Sequence, residues 1–100
     1  MKKLKIVIQE QALVDLEQIW LYTFETWSLE QADRYYDLII KEINFLATRP
    51  SYGKSQAHLR KGYFSTQMKS HIIFYKHTDL EIQIIRILHE NMDIPNRLNE

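Results

Sequence analysis

The spacing of apolar residues changes from a helical period to a strand period along the chain. Residues 4–9 form a short apolar run rich in β-branched side chains, typical of a strand. From residues 9 to 27 apolar side chains recur every three or four positions, which predicts an amphipathic helix. Ser28 then opens Ser-Leu-Glu-Gln, a capping box that predicts a second helix, which Pro50 ends. Helices joined by almost no loop predict an antiparallel hairpin.

After a polar connection over residues 51–61 the apolar period becomes two. Three strands are predicted, over residues 62–68, 71–77 and 81–89. The last two are nearly continuous in apolar residues, so we expect them to be central in the sheet. The order β-α-α-β-β-β predicts an α+β fold, a helical hairpin packed on a mostly antiparallel four-stranded sheet. The chain is short enough that residues 1–100 are expected to form one domain.

Aromatic residues make up 12% of the sequence and are expected to give the core substantial bulk. Four of them fall at helical spacing on apolar faces and are predicted to be buried: Trp20, Trp27, Tyr35 and Tyr36. Three others lie on strands beside a basic segment, and one or two of these are predicted to be exposed for partner contact: Tyr63, Phe64 and Tyr75.

Cysteine is absent from the sequence, which excludes a disulfide framework, a thiol nucleophile and a cysteine-based zinc or iron–sulfur site. The N-terminal MKKLKIVIQE begins like a signal peptide but lacks the long apolar region of one, and we interpret it as the first strand. No apolar run approaches the length of a membrane span. We therefore predict a cytoplasmic protein with no membrane contact and no cofactor.

Charge is unevenly distributed although the formal net charge is zero. Residues 49–77 carry six Lys or Arg and no acidic residue, whereas residues 1–48 and 78–100 each have a net charge of −3. Such a basic block indicates an anionic partner, either nucleic acid or an acidic peptide. Lysines that solubilise the edge of a sheet would give the same pattern.

The sequence His-Glu-Asn-Met-Asp, which begins at His89, differs by one residue from the His-Glu-x-x-His signature of zinc peptidases. A zinc site needs a second imidazole one helical turn away, where this chain has Asp93, and Pro95 limits any helix. We predict no metal site here. A catalytic triad is not expected either, because the chain has no serine elbow and no glycine-rich loop.

The alternative interpretation makes this segment the end of the last strand and a docked tail. Ile85 and Ile87 would fill one face of the strand and Leu88 the other, while Met92 packs the tail back onto the sheet. His89 and Asp93 would then form hydrogen bonds that fix the tail, so that His89, Met92 and Asp93 form a structural C-terminal motif.

Three segments occur in the order typical of one protein family. They are ALVDLEQIWLYTFETWSLEQADRYYDLI in the hairpin, LATRPSYGKSQAHLRKGY in the connection, and SHIIFYK with IQIIRILHENMD at the end. Together they resemble the ParE branch of the RelE/ParE toxin–antitoxin superfamily. Two positions depart from the usual ParE pattern. Phe64 stands where a polar residue is usual, and Lys69 stands where the next turn commonly has glycine.

This resemblance implies the toxin half of a type II toxin–antitoxin pair, a non-enzymatic protein that inhibits DNA gyrase by binding. It also implies a cognate ParD-type antitoxin whose C-terminal segment wraps the toxin. Direct nucleic-acid binding by the isolated chain is not expected, because the chain is neutral. Two alternatives stay open: a RelE-type ribosome-dependent mRNA ribonuclease, and a decayed toxin that retains only antitoxin binding.

The basic block and the last strand supply six candidate residues for contact with a target or antitoxin: Arg60, Lys61, Tyr63, Lys69, His71 and Arg86. We expect an acidic antitoxin tail across the hairpin and sheet, paired with Arg60, Lys61 and Lys69, and an exposed apolar patch on the isolated toxin. On the ParE interpretation no residue is catalytic. In a ribonuclease, the arginines and lysines would stabilise a phosphorane, with His71 or His89 as the acid–base group.

Overall fold

The computed structural model describes residues 2–99. Its helices are α1 (Glu10–Thr26), α2 (Leu29–Thr48) and α3 (Ile94–Leu98), and a 3₁₀ turn covers Pro50–Tyr52. Its strands are β1 (Lys5–Ile8), β2 (Lys54–Ser55), β3 (Phe64–Met68), β4 (His71–His77) and β5 (Glu81–His89). No helix within residues 2–99 is long and apolar enough to cross a membrane.

The strands of residues 2–99 form one sheet in the order β1-β5-β4-β3-β2. β1 runs parallel to β5, and the other neighbours are antiparallel. The expected α+β class, with a helical hairpin on a mostly antiparallel sheet, is confirmed. The sheet has one strand more than expected, because Lys54 and Ser55 in the polar connection pair with Ser65 and Phe64. Two residues are too few to show a strand period.

Ser28 caps the second helix as its sequence predicts. Its Oγ accepts a hydrogen bond from the backbone N–H of Gln31 at 3.1 Å, which satisfies one of the free donors at the helix start. The Gln31 side chain accepts from Arg34 at 2.8 Å, so only the serine half of the capping box is formed. Because Ser28 starts the second helix directly, only Trp27 and Ser28 lie between α1 and α2.

The main core lies between the helical hairpin and the sheet. Two small or medium residues of α1, Ala12 and Leu16, pack there against four of α2 and five of the central strands: Ile39, Ile43, Leu46, Ala47, Ile73, Tyr75, Ile82, Ile84 and Ile87. Each fully buried isoleucine or leucine stabilises the fold by about 1.5–3 kcal/mol relative to an exposed side chain. The buried positions of α1 end at Leu16, in the first half of the helix.

A second, smaller core covers the opposite face of the sheet. It contains Tyr63, Phe74, Ile85, Leu88 and Leu98, and the last of these belongs to α3. The sheet is therefore covered on both faces, by the hairpin on one and by α3 with residues 59–63 on the other. The continuous apolar runs in β4 and β5 correspond to this double burial.

A β-bulge in β5 changes which residues share a face. Tyr75 pairs with Ile84 and Phe74 pairs with Arg86, so Ile85 is an additional residue on its strand. After the bulge Ile87 joins the hairpin-side core, whereas Ile85 lies in the opposite core. The expectation that Ile85 and Ile87 fill one face of the strand is wrong, because it assumed that side chains alternate strictly between the two faces, and the bulge interrupts this alternation.

Tyr75 is fully buried and fastens the polar connection to the sheet. Its hydroxyl donates to the carbonyl of Pro50 at 2.7 Å and accepts from the N–H of Gly53 at 2.9 Å. A Cβ at Gly53 would collide with this hydroxyl, so only glycine fits in the space available here.

The strand aromatics are less exposed than expected. Tyr63 is buried like Tyr75 and Phe64 is half-buried, so the expected exposure of these side chains for partner contact is largely wrong.

Two of the four helical aromatics expected in the core lie on the surface. Trp27 is 72% exposed and Tyr36 is 39% exposed, whereas Trp20 and Tyr35 are half-buried. Trp27 follows the last residue of α1, well beyond the buried positions of that helix. An apolar period therefore extends along α1 past the region that the sheet covers.

Candidate partner-binding cleft

A cleft of about 630 Å³ opens between the helical hairpin and one end of the sheet. Its walls come from the second half of α1, the first half of α2, the turn between β3 and β4, the end of β5 and Met92. We call this feature the hairpin cleft. It brings together side chains that lie as far apart in sequence as Asp15 and Met92.

An ion pair lies at the base of the hairpin cleft. Arg86 holds Asp15 with two hydrogen bonds, Nε to Oδ2 at 2.8 Å and Nη2 to Oδ1 at 3.1 Å. The side chains are only 6% and 11% exposed, respectively. Asp15 Oδ2 also accepts the backbone N–H of Ile87 at 2.9 Å, beyond the point where β1 ends opposite Ile84. The carboxylate thus replaces a missing strand partner.

Arg86 also donates from Nη1 to the backbone carbonyl of Arg97 at 2.9 Å. A single guanidinium therefore links α1, β5 and the C-terminal helix around the edge of the sheet. Arg86 was expected to contact a target or antitoxin, but its side chain is buried and its charge is compensated by Asp15. We therefore exclude Arg86 from the surface available to a partner.

Two histidines and a tyrosine form the inner wall of the hairpin cleft. His71 and His89 are paired across β4 and β5, with ring centroids 5.2 Å apart. The Tyr35 hydroxyl lies 2.6 Å from Nδ1 of His71 and 3.1 Å from the carbonyl of Met68. Burial lowers the pKa of His71 to about 4, and neighbouring His89 adds to this shift, while Asp15 and Glu90 oppose it. His71 is therefore neutral near pH 7.

We expect His71 to make stability depend on pH between about 6.5 and 4. Its native pKa lies below that of the unfolded chain, so the unfolded state binds the proton more tightly there and stability falls as pH is lowered. The loss should be about 1 kcal/mol, because the ring is only partly buried and solvent screens the effect. Urea unfolding of wild type and His71→Gln across this range measures it.

The control for this prediction is His58→Gln, at an exposed position in the polar connection. The His71→Gln variant should lose less stability on acidification than wild type, and the His58→Gln variant should behave as wild type. Identical pH profiles for all three proteins would contradict the assignment.

Lys69 lies at the rim of the hairpin cleft in a two-residue turn between β3 and β4. Its φ of 55° is in the left-handed region, which costs a residue with a Cβ about 1–2 kcal/mol. Glycine, which the sequence resemblance led us to expect at this turn, would avoid this cost, so Lys69 exchanges some stability for a cation at the rim.

We expect Lys69→Gly to raise the free energy of unfolding by about 0.5–1 kcal/mol, since relief of the left-handed conformation exceeds the entropy cost of glycine. Lys69→Ala removes the same charge without relieving the backbone and should give no such gain. Denaturant unfolding of the three proteins distinguishes the cases. Equal stabilisation by alanine and glycine would show that the charge, rather than the backbone, was unfavourable.

The outer rim of the hairpin cleft is apolar and exposed. Tyr22 is 68% exposed and Met92 is 41% exposed, and Trp27 lies with them along the same cleft. The expectation that Met92 packs the tail onto the sheet is wrong, because Ile94 and Leu98 make that contact.

The C-terminal motif forms its hydrogen bonds within the tail. His89 Nδ1 accepts from the N–H of Asn91 at 3.1 Å, and Asp93 Oδ2 accepts from the Asn96 side chain at 2.6 Å. Within residues 2–99, no group of three His, Asp or Glu side chains is placed to hold a metal ion. The geometry around His89 is that of a strand end followed by a short helix.

Arg60, Lys61 and Tyr63 lie away from the hairpin cleft. Arg60 donates to the Asn99 side chain at 2.8 Å, and its guanidinium lies 5.8 Å from the centroid of the Tyr63 ring. Tyr63 belongs to the core on the opposite face of the sheet. Of the six candidates, only Lys69 and His71 line the cleft.

Sequence reasoning missed Arg34, Asp15 and Tyr22 as residues of the cleft. Arg34 and Tyr22 are single residues on helices and carry no motif. The only sequence signal for Asp15 was its carboxylate between the apolar residues Val14 and Leu16, one helical turn before Ile19.

Comparison with known proteins agrees with the observed fold and adds the family to which the chain belongs. The family model for the ParE toxin of the type II toxin–antitoxin system parDE matches residues 6–94. The chain belongs to the ParE toxin family. It is therefore a ParE-like member of the RelE/ParE superfamily and a type II toxin–antitoxin protein, as its sequence resemblance implies.

Individual relatives cover most of this ParE-family chain. A Toxin ParE1 from Caulobacter vibrioides is 34% identical over 86 residues, which are 86% of this chain and 88% of the relative. A Toxin ParE1 from Mycobacterium tuberculosis is 30% identical over 95 residues, 94% of this chain and 97% of the relative. A structure of the chromosomal ParDE system from P. aeruginosa has a TM-score of 0.76 at 18% identity, covering 87% of this chain and 96% of that chain. The last likeness concerns the fold alone.

Proposed function

We propose that this ParE-family toxin inhibits DNA gyrase by binding to it in the cytoplasm, without catalysis, and that a ParD-type antitoxin neutralises it. The observation that carries the proposal is the family match over residues 6–94, because it spans the hairpin, the sheet and the start of the tail together. The matching family model describes the toxin of a type II toxin–antitoxin system, which supports an antitoxin for this chain as well.

The placement of the basic residues supports action by binding. A ribonuclease would need several cations around one phosphate to stabilise the developing charge. Here Arg60 lies beside Asn99 on the opposite face of the sheet from the hairpin, and Arg86 is neutralised by Asp15. Of the four expected cations only Lys69 lines the hairpin cleft, and among residues 2–99 Arg34 is the one further lysine or arginine there.

A ribosome-dependent ribonuclease is the second candidate, and one observation favours it. Lys69, His71, His89 and Tyr35 share the cleft, and the neutral imidazole of His71 can accept a proton, although a pKa of about 4 makes it a weak general base. If this cleft cleaves RNA, His71→Gln should reduce cleavage by about 10²–10⁴-fold.

Induction of the toxin in cells, with or without its co-encoded antitoxin, distinguishes the two candidate functions. Gyrase inhibition predicts relaxed plasmid DNA, intact mRNA on translating ribosomes, and rescue by the antitoxin. Cleaved mRNA with normal supercoiling would favour the ribonuclease. Growth unaffected by a folded, expressed protein that still binds the antitoxin would identify a decayed toxin.

A further inference from the structure

We propose that the outward side of α1 binds the target protein, at a place where a lysine or arginine of the target projects from apolar surroundings. Six residues of α1 form this side, which we call the outer face: Leu13, Val14, Glu17, Trp20, Leu21 and Phe24. The inference rests on the proposed function. It specifies which part of the toxin contacts gyrase and what chemistry it meets there.

The outer face is apolar and exposed although it belongs to a helix of the core. Its side chains lie about a quarter to half a turn round the helix from Ala12 and Leu16, which are buried under the hairpin. Leu13, Leu21 and Phe24 are 49%, 50% and 44% exposed. Large apolar side chains grouped in this way on the surface of an isolated chain mark an interaction site.

Two aromatic rings of the outer face are held in place before any partner binds. Trp20 and Phe24 stack with ring centroids 5.3 Å apart and planes 10° from parallel. The indole N–H of Trp20 donates to Oδ1 of Asp33 at 2.9 Å, which ties the pair to α2. A side chain that is already fixed loses little conformational entropy on binding, so this pair is suited to anchor a partner.

A single carboxylate lies in the middle of these apolar side chains. The residues one helical turn from Glu17 in either direction are Leu13, Val14, Trp20 and Leu21. Glu17 is exposed, and no hydrogen bond or ion pair within residues 2–99 involves it. It also lines a shallow groove of about 350 Å³ with Val14 and Leu21. A lysine or arginine in this groove would pair with the carboxylate while its aliphatic stem packs on the apolar neighbours.

The charge around the outer face indicates a basic partner. α1 contains no Lys or Arg, and its exposed acidic residues are Glu10, Glu17 and Glu25. Nucleic acid and an acidic peptide would both be repelled by this helix. A second copy of the chain is also disfavoured, because a two-fold contact would bring two acidic outer faces together. The complementary surface is an apolar one that carries basic side chains.

The proposed target meets this requirement for a general reason. An enzyme that binds the DNA backbone carries lysines and arginines that neutralise phosphates. Gyrase therefore has basic surface that an acidic ligand can contact. The aromatic and aliphatic side chains around Glu17 would exclude water from the ion pair and make the contact stronger than charge alone.

Charge reversal tests the inference, with purified gyrase holoenzyme as the probe and biolayer interferometry as the measurement. Glu17→Lys should weaken binding by about 30-fold or more, because an attraction becomes a repulsion. Asp79→Lys makes the same change of charge at an exposed residue in the turn between β4 and β5 and should weaken binding by less than about threefold. Thermal unfolding of each variant checks that the fold is retained.

The apolar part of the outer face has its own matched pair. Leu21→Ala removes a half-exposed leucine beside Glu17 and should weaken gyrase binding by about tenfold. Leu80→Ala removes a leucine that is 74% exposed in the same turn as Asp79, outside the outer face, and should have little effect.

The outcomes separate this inference from the function on which it rests. No binding of the wild-type toxin to gyrase would refute the proposed target and this inference together. Wild-type binding with equal affinities for Glu17→Lys and Asp79→Lys would refute the outer face as the contact and leave the function intact. Variants of the outer face that keep their gyrase affinity but lose affinity for the co-encoded antitoxin would assign this face to the antitoxin and overturn the inference.

Discussion

Replacement of Asp15 by Ala is expected to destabilise the protein by about 3–5 kcal/mol, enough to unfold much of a small domain. The substitution leaves the guanidinium of Arg86 buried without a counter-charge and removes the acceptor for the N–H of Ile87. It also weakens the link from α1 to the end of β5. Urea unfolding followed by circular dichroism measures the change.

Two controls assign the effect to the buried pair. Glu17→Ala removes an exposed carboxylate from the same helix and should change stability by less than about 0.5 kcal/mol. Asp15→Ala with Arg86→Met removes both charges and should recover part of the loss, because the unpaired cation is gone. A loss below about 1 kcal/mol for Asp15→Ala would contradict the structural importance of the ion pair.

Leu98→Ala is expected to cost about 2–5 kcal/mol, although Leu98 is the last residue of the five-residue helix α3. Its side chain is 5% exposed and fills the core formed by Phe74, Ile85 and Leu88. Truncation would leave a cavity under α3 and loosen the segment whose carbonyl Arg86 holds. Chemical denaturation measures the loss as a decrease in the free energy of unfolding.

Met92→Ala is the matched substitution for this test, because the sequence indicated Met92 as the residue that docks the tail. The side chain is partly exposed along the hairpin cleft, so its truncation should cost less than about 0.5 kcal/mol. A larger loss for Met92→Ala than for Leu98→Ala would show that the tail docks as the sequence suggested and not as in this structure.

The layout of helices and strands was predictable because each depends on local patterns. The change of apolar period from helix to strand, the cap at Ser28 and the stop at Pro50 act within a few residues. They place α1, α2 and the long strands close to their observed bounds. The two-residue strand β2 was missed because its pairing depends on β3, which lies outside any local window.

The bulge and the second core were not predictable for a related physical reason. An additional residue at Ile85 reverses the faces of everything after it, and a regular period gives no sign of this. The helix α3 has only five residues, too few for a periodic pattern. Its contribution to stability comes from Leu98, whose side chain packs in the core on the face of the sheet away from the hairpin.

The cleft was only partly predictable because its side chains meet through tertiary contacts. Lys69 and His71 were indicated by the basic block, but Arg34 and Tyr35 join them only when α2 packs near the turn between β3 and β4. Apolar spacing also cannot distinguish a side chain that is buried in the core from one that lies exposed on the surface. Trp27 is the clearest case, since its helical spacing indicated burial and it lies exposed at the cleft.

The most direct test of the account is a supercoiling assay with purified gyrase and purified toxin, with and without an equimolar amount of the co-encoded antitoxin. We predict that the toxin inhibits ATP-dependent supercoiling or traps cleaved DNA, and that the antitoxin restores normal activity. Undiminished supercoiling in the presence of folded toxin, together with mRNA cleaved in the ribosomal A site in a parallel translation reaction, would contradict the account.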